Sequence, residues 1–142
     1  MVKIESLELK IGNISLINQF LINAGRSLET FRYFEKRSLE SINSHLITYV
    51  LIKEMQVIGY GHLERENEKV WLGIAIVESQ MGMGYGLYMM DSLLHFARKQ
   101  QIGQVHLSAD KVNIGAIKLY EKVGFINIEE LSEKAFLMKK EL

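Results

Sequence analysis

The chain reads as a mixed α/β domain, and three features carry that reading. The stretch Trp71 to Leu94, WLGIAIVESQMGMGYGLYMMDSLL, passes from a short apolar segment through Gly82, Gly84 and Gly86 into helically spaced residues, which is a strand, a glycine turn and a helix. Gln104 to Ala109 follows as a further strand, so residues 71–109 form a crossover unit whose ligand is expected at the carboxyl end of its first strand. Around this unit, segments of period two alternate with segments spaced by three and four.

The remaining elements follow in chain order. Val2 to Leu9 carries apolar residues at nearly every second position and reads as a first strand, ended by Gly12 and Asn13. Ile14, Ile17, Leu21 and Ile22 then mark a helix to about Asn23, with Ser15 as its N-cap and a turn over Ala24 to Ser27. The segment Leu28 to Arg37, LETFRYFEKR, supports two readings. Phe31, Arg32, Tyr33 and Phe34 can form a substrate wall, since Arg grips carboxylate or phosphate in a fork and aromatic rings stack on flat or sugar-like groups. Alternatively, the segment is an amphipathic helix that packs Leu28, Phe31 and Phe34 inward.

Ser38 to His45 reads as a short helical turn. LITYVLIKEM, a break at Gln56, and VIGYGHLE form a hairpin, and the polar run Arg65 to Lys69 turns the chain into a third meander strand, Val70 to Val77. Gly59, Gly61 and Gly73 lie inside these strands, where glycine marks a bulge or a close approach. Behind the glycine turn, Leu87, Met90, Leu94 and Ala97 trace one helical face that Gly103 ends. A helix from Asn113 to Val123 is capped by Gly124, and Ile126 to Ile128 pairs with Ala135 to Lys139 as a last hairpin.

Composition removes several function classes. The chain has 142 residues, enough for one domain spanning 1–142, and 48% hydrophobic residues suffice for a core. Seventeen basic and seventeen acidic residues cancel, so no global field favours nucleic acid or an anionic membrane. There is no Cys, hence no disulfide, thiolate metal site or Cys nucleophile, and the cytoplasm is the expected compartment. No apolar run approaches the roughly 18 residues of a membrane helix. The oligomeric state stays open, a homodimer included.

The glycine turn carries the first chemistry. A helix start leaves backbone N–H groups unpaired and partly positive, and alternate glycines remove the Cβ atoms that would hold an anion away. A Walker-type loop is excluded because no Lys follows the glycines. A dinucleotide fingerprint is disfavoured because Leu87 or Met89 stands where its third glycine belongs. A glycine turn without any ligand is the alternative.

Met81, Gly82, Met83, Gly84, Tyr85 and Gly86 are similar to the phosphate loop of the GNAT superfamily of acetyl-CoA-dependent N-acetyltransferases, Gln/Arg-x-x-Gly-x-Gly/Ala, with Met81 in place of Gln or Arg. Asn113, Ala116, Tyr120, Gly124 and Phe125 resemble a second pattern of the same family, after its fifth strand. The resemblance covers residues 57–138 well and residues 1–56 only in element order.

It implies a mixed, mostly antiparallel sheet of about seven strands with splayed fourth and fifth strands, flanked by about four helices. It further implies that amides around Gly82 to Leu87 hold the pyrophosphate of acetyl-CoA, that Ile74, Ala75 and Ile76 pair with the pantetheine arm, and that Asn113 bonds that arm or acts only as an N-cap. An amine would attack the thioester directly. An amide near Ile76 would steady the oxyanion and Tyr120 would protonate the leaving thiolate.

The base that deprotonates the amine is sought in His62 and Glu64, which share a strand face with Tyr60, with Glu78 and Asp110 as further candidates. His45, His95 and His106 lack metal-ligand spacing, and no metal is expected. The expected acceptor is a small-molecule amine, an amino sugar or nucleotide-linked amino sugar being the form suggested by residues 28–37. The alternatives are a protein or peptide N-acetyltransferase and a non-catalytic acyl-CoA-binding module.

Overall fold

The computed structural model describes residues 3–142; Val2, where the first strand was expected to begin, lies outside them. The strands are β1 (Ile4–Glu8), β2 (His45–Lys53), β3 (Gln56–Glu66), β4 (Lys69–Ile76), β5 (Gln104–Asp110), β6 (Ile126–Glu130) and β7 (Ala135–Glu141). They form one seven-stranded sheet in the order β1-β2-β3-β4-β5-β7-β6. Among the described residues only β4 and β5 run parallel, and their register holds a single pair, Trp71 with His106. Beyond it the two strands diverge, which is the expected splay.

Three α-helices occur among the described residues: α1 (Ser15–Asn23), α2 (Tyr85–Lys99) and α3 (Ile114–Val123). α2 buries Met89, Met90, Leu93, Leu94 and Ala97; of the expected face, Met90, Leu94 and Ala97 are buried and Leu87 only partly so. It packs over Gly61, where an added Cβ would stand 2.7 Å from Met89. α1 packs Phe20 against Tyr60, at a ring-centroid distance of 5.9 Å. Neighbouring residues of a strand point to opposite faces, so α1 and α2 cover opposite sides of β3. No helix among the described residues is long and apolar enough to cross a membrane.

Several local expectations are corrected. Ile14, without a side-chain cap bond, occupies the N-cap of α1, and Ser15 is its first helical residue. The first hairpin turns at Glu54 and Met55, both with positive φ, so Gln56 opens β3 and breaks nothing. The left-handed position after α2 falls to Gln101 (φ 58°) rather than Gly103.

The largest difference concerns residues 28–37, which are not an amphipathic helix. They hold parts of two 3-10 turns, Gly25–Glu29 and Tyr33–Glu35, and Leu28 is 37% exposed. Phe31, Arg32 and Tyr33 find partners in three different places, and one helical face cannot supply all three directions.

Gly73 pairs with His62 across β3 and β4, and a Cβ there would meet the imidazole Cε1 at 2.6 Å. That ring is pinned by a hydrogen bond and cannot swing away as a flexible side chain would. Gly73→Ala is therefore expected to cost about 1–3 kcal/mol through overpacking, read as a lower urea midpoint. An unchanged midpoint would show that the ring is free to move.

Candidate active site

Where β4 and β5 part, a cavity of about 580 Å³ opens. One wall is Leu72 to Ile76 of β4, the other Ser108 to Asp110 of β5; α3 adds Asn113, Leu119 and Tyr120, and the front segment adds Ser27, Thr30 and Phe31. The glycine turn stands at its end, with Gly82, Gly84, Gly86 and Leu87 all lining it. Gly82 (φ +76°) and Gly84 (φ +89°) adopt left-handed conformations, and nothing lies within 4 Å of where their Cβ atoms would be. Their backbone thus faces open space at the start of α2, the condition for anion contact with helix-terminal amides.

Of the residues expected to bind cofactor, Ile74, Ala75, Ile76, Met81, Gly82, Gly84, Gly86, Leu87, Asn113 and Tyr120 line the cavity, whereas Met83 and Tyr85 do not. Met81 supplies no polar group at the first motif position. A cation nonetheless stands near the turn: Lys53 Nζ, from the end of β2, donates to Gln80 Oε1 at 2.9 Å and lies 5.2 Å from the Tyr85 ring centroid. Nothing in the local sequence around Lys53 signals that position.

Asn113 caps α3 and stands in the cavity wall. Its Oδ1 accepts from Ala116 N at 3.2 Å as the N-cap of α3, and its Nδ2 donates to Thr30 Oγ1 at 3.4 Å beside the cavity. Tyr120 lies one helical stretch further on, in the cavity wall. Burial pushes its phenol up to about 12, so it is fully protonated at neutral pH.

The two leading base candidates stand elsewhere: neither His62 nor Glu64 lines the cavity. His62 Nδ1 shares a hydrogen bond of 2.7 Å with Tyr60 Oη, and its ring stacks on His45 at 4.2 Å. Glu64 accepts from Tyr33 Oη at 3.0 Å and from Ser44 Oγ at 3.1 Å. His45 Nε2 pairs with Tyr33 Oη (2.6 Å) and Nδ1 with Thr48 Oγ1 (2.8 Å). Period two put His62 and Glu64 on one face, but α1 and the aromatic residues of the front segment cover that face. Glu78 is also engaged outside the cavity, accepting from Arg26 N at 2.9 Å.

The donor atoms of His45, His62 and Glu64 fall within 4.8 Å of one another, a spacing that a metal ion can bridge. Hydroxyl groups already occupy both nitrogens of His45, one of His62 and both oxygens of Glu64, and the two rings face one another at 27°. As folded, the cluster is a hydrogen-bond network.

Burial holds both imidazoles below their ordinary range, His45 at about 4 and His62 well below the usual imidazole value, with the neighbouring His45 and Arg37 adding to the effect on His62. The unfolded chain therefore takes up protons that the folded protein refuses as pH falls from about 6.5 towards 4. Stability is full above that window and declines within it. The urea midpoint is expected to be lower at pH 5 than at pH 7.5, whereas equal midpoints would contradict neutral, buried rings.

Of the four front residues expected to touch substrate, only Phe31 lines the cavity. It packs on Tyr60, Phe34 and Tyr33 at centroid distances of 5.3, 6.4 and 6.5 Å, so Tyr33 and Phe34 support the wall from behind. Arg32 crosses to the opposite wall, with its NH1 and NH2 donating to Asp110 Oδ2 and Oδ1 at 3.0 and 2.8 Å. Asp110 is the one carboxylate among the described lining residues.

Comparison with known proteins agrees with this geometry. The Acetyltransferase (GNAT) family model matches residues 16–125. No curated protein sequence matches the chain. Among solved structures, the fold is similar to that of PaiA N-acetyltransferase from Thermoplasma acidophilum in complex with coenzyme A, at TM-score 0.79 and 18% identity over 99% of both chains. A GNAT-family acetyltransferase from Streptococcus pneumoniae superposes at TM-score 0.80 and 19% identity, over 99% of this chain and 100% of that one. The ribosomal-protein-S18-alanine N-acetyltransferase of Escherichia coli superposes at 0.71 and 15% identity, covering 99% of this chain and 94% of its own. With the family model spanning most of its length, the chain belongs to the acetyltransferase (GNAT) family.

Proposed function

We propose that residues 1–142 act as one N-acetyltransferase domain that moves the acetyl group of acetyl-CoA onto the primary amine of a small molecule. The observation that carries this reading is the β4–β5 splay, with the glycine turn at one end and Tyr120 in its wall. Its volume of about 580 Å³ suits an elongated ligand arm. Acetyl-CoA brings an acyl group already activated as a thioester; everything else falls to the chain. Amides from Gly82 to Leu87 take the pyrophosphate, and Ile74 to Ile76 pair with the pantetheine along the free edge of β4.

An amide near Ile76 meets the negative charge that develops on the carbonyl oxygen as the amine nitrogen attacks. The Ser27 hydroxyl donates to the Ile76 carbonyl oxygen and so fixes the orientation of that part of the strand. The C–N bond forms, the C–S bond breaks, and Tyr120 gives its phenolic proton to the departing sulfur. A phenol at about 12 is a weaker acid than the ordinary thiol near 8.5, but the same apolar wall raises the proton affinity of the thiolate too. An acceptor arriving as ammonium loses two protons; the thiol gains one through Tyr120, which is then reprotonated. The proton released before attack has Asp110 or water as its acceptor. His62 and Glu64 hold Tyr33 and the wall behind Phe31.

A small acceptor is favoured over an extended peptide because the Arg32–Asp110 and Thr30–Asn113 contacts tie the front segment to β5 and to the N-cap of α3, which restricts the room for an extended chain. The amino-sugar form loses its support, since only one of the three aromatic residues that suggested it faces the cavity. Free-thiol release over small amines and peptides tests the assignment. Release with small amines but not peptides supports it, release with peptides alone points to the protein-directed alternative, and binding of acetyl-CoA with no release anywhere points to a non-catalytic module.

A further inference from the structure

We propose that the Arg32–Asp110 ion pair is the recognition element for the acceptor, and that the acceptor is a zwitterion, an amine that also carries a carboxylate. In this reading, which rests on the acetyltransferase function proposed above, the acceptor's carboxylate takes the place of Asp110 on the guanidinium. Its ammonium takes the place of Arg32 on the Asp110 carboxylate.

Position is the first argument. Beyond the single parallel pair Trp71–His106, Ile76 at the end of β4 and Asp110 at the end of β5 both line the cavity, and the acyl carbonyl is proposed to lie near Ile76. Arg32 stands outside the lining and reaches Asp110 from the front segment, next to Phe31 in the wall.

Charge matching is the second. The fork is bidentate, at 2.8 and 3.0 Å, the geometry with which guanidinium recognises any carboxylate. The Asp110 side chain is 10% exposed and that of Arg32 39%, so the anion is set deep and the cation is reachable from solvent. An acceptor that parts them must leave the deep-set Asp110 matched, because an unmatched buried charge costs more than the pair returns, and it gains a second charge-assisted contact if it also offers Arg32 an anion. A plain amine satisfies Asp110 and leaves Arg32 without its anion. A carboxylate without an amine does the reverse. A zwitterion satisfies both, and because the two partners touch directly, a short spacer such as that of an α- or β-amino acid fits best.

Arg32 is equipped to stay in place during such an exchange, since its NH1 also donates to the Glu29 carbonyl oxygen. The exchange has a chemical consequence as well. It removes the fixed guanidinium from Asp110 and sets the substrate amine there, which makes the carboxylate a better proton acceptor at the point where a proton must leave.

The test uses matched pairs of acceptors with wild-type protein and acetyl-CoA: leucine with isoamylamine, phenylalanine with phenethylamine, and lysine with cadaverine. The expected result is a kcat/KM about tenfold or more higher for at least one carboxylate-bearing member than for its partner. Arg32→Gln should erase that preference, chiefly through KM, while the affinity for acetyl-CoA stays within about twofold. Because Arg32→Gln also removes a contact between walls, the charge-swapped double variant R32D/D110R serves as a second probe. It restores a strap but reverses the recognition charges, so the preference should remain lost.

Equal rates within every pair, recovery of the preference in the swapped variant, or acetyl-CoA binding with none of the six amines acetylated would overturn the proposal. Failure of acetyl-CoA itself to bind would instead remove the reading on which it rests.

Discussion

Replacing Tyr120 with Phe is expected to lower kcat by about a hundredfold or more while leaving the affinity for acetyl-CoA within about twofold. The substitution deletes one oxygen and keeps the ring that packs against Phe125 at 6.1 Å, so the wall of the cavity persists. What disappears is the proton held ready for the sulfur. Burial alone raises this phenol to about 12, which means that no ordinary pH near neutrality ionises it. The alkaline limb of the rate profile should therefore show no ionisation of Tyr120 near neutrality. A Phe variant with wild-type turnover would show that water protonates the thiolate and that the ring serves packing only.

Gly84→Val should produce the second large effect, here on binding. Gly84 is the N-cap of α2 and holds φ near +89°, a conformation that costs a branched residue on the order of 1–2 kcal/mol or more. The space where its Cβ would project is empty and faces the cavity. The added side chain would fill the room reserved for an anion and strain the helix start together. The expected outcome is a KM for acetyl-CoA raised by roughly tenfold or more, with the far-UV spectrum unchanged. An unaltered KM in a folded variant would remove the glycine turn from the binding site.

These two positions were also the most readable in the sequence, for a shared physical reason. A glycine turn between a strand and a helix, and an Asn cap with a Gly stop ten or so residues later, are local devices whose geometry is dictated by neighbours in the chain. Gly84 and Gly124 both take the positive φ that their positions imply, and Asn113 caps α3 by its own side chain. The stripes of α2 and the alternation of β2 to β4 are local in the same sense.

The front segment followed different rules. Arg32 is fixed by Asp110, 78 residues away, and Tyr33 by Glu64, 31 residues away. No period in LETFRYFEKR encodes those partners, so its helical spacing does not fix its conformation. His62 shows the same limit from another side. Period two correctly grouped it with Tyr60 and Glu64, yet nothing in a strand's own residues says whether the face they share opens on a cleft or lies under other elements. Here Phe20 of α1, with Phe31 and Tyr33, covers it. Lys53 carries no local signal of its place because its neighbour at the glycine turn, Gln80, is close in space but lies in another part of the chain.

The central claim, that acetyl-CoA lies between β4 and β5 with its phosphates on the glycine turn, is tested most directly by a crystal structure of the chain grown with coenzyme A. The account predicts density that starts at the amides of Gly82 to Leu87, runs along Ile74 to Ile76, and ends with the sulfur within hydrogen-bonding reach of Tyr120 Oη. Coenzyme A bound elsewhere, or an empty splay at saturating ligand, would contradict it.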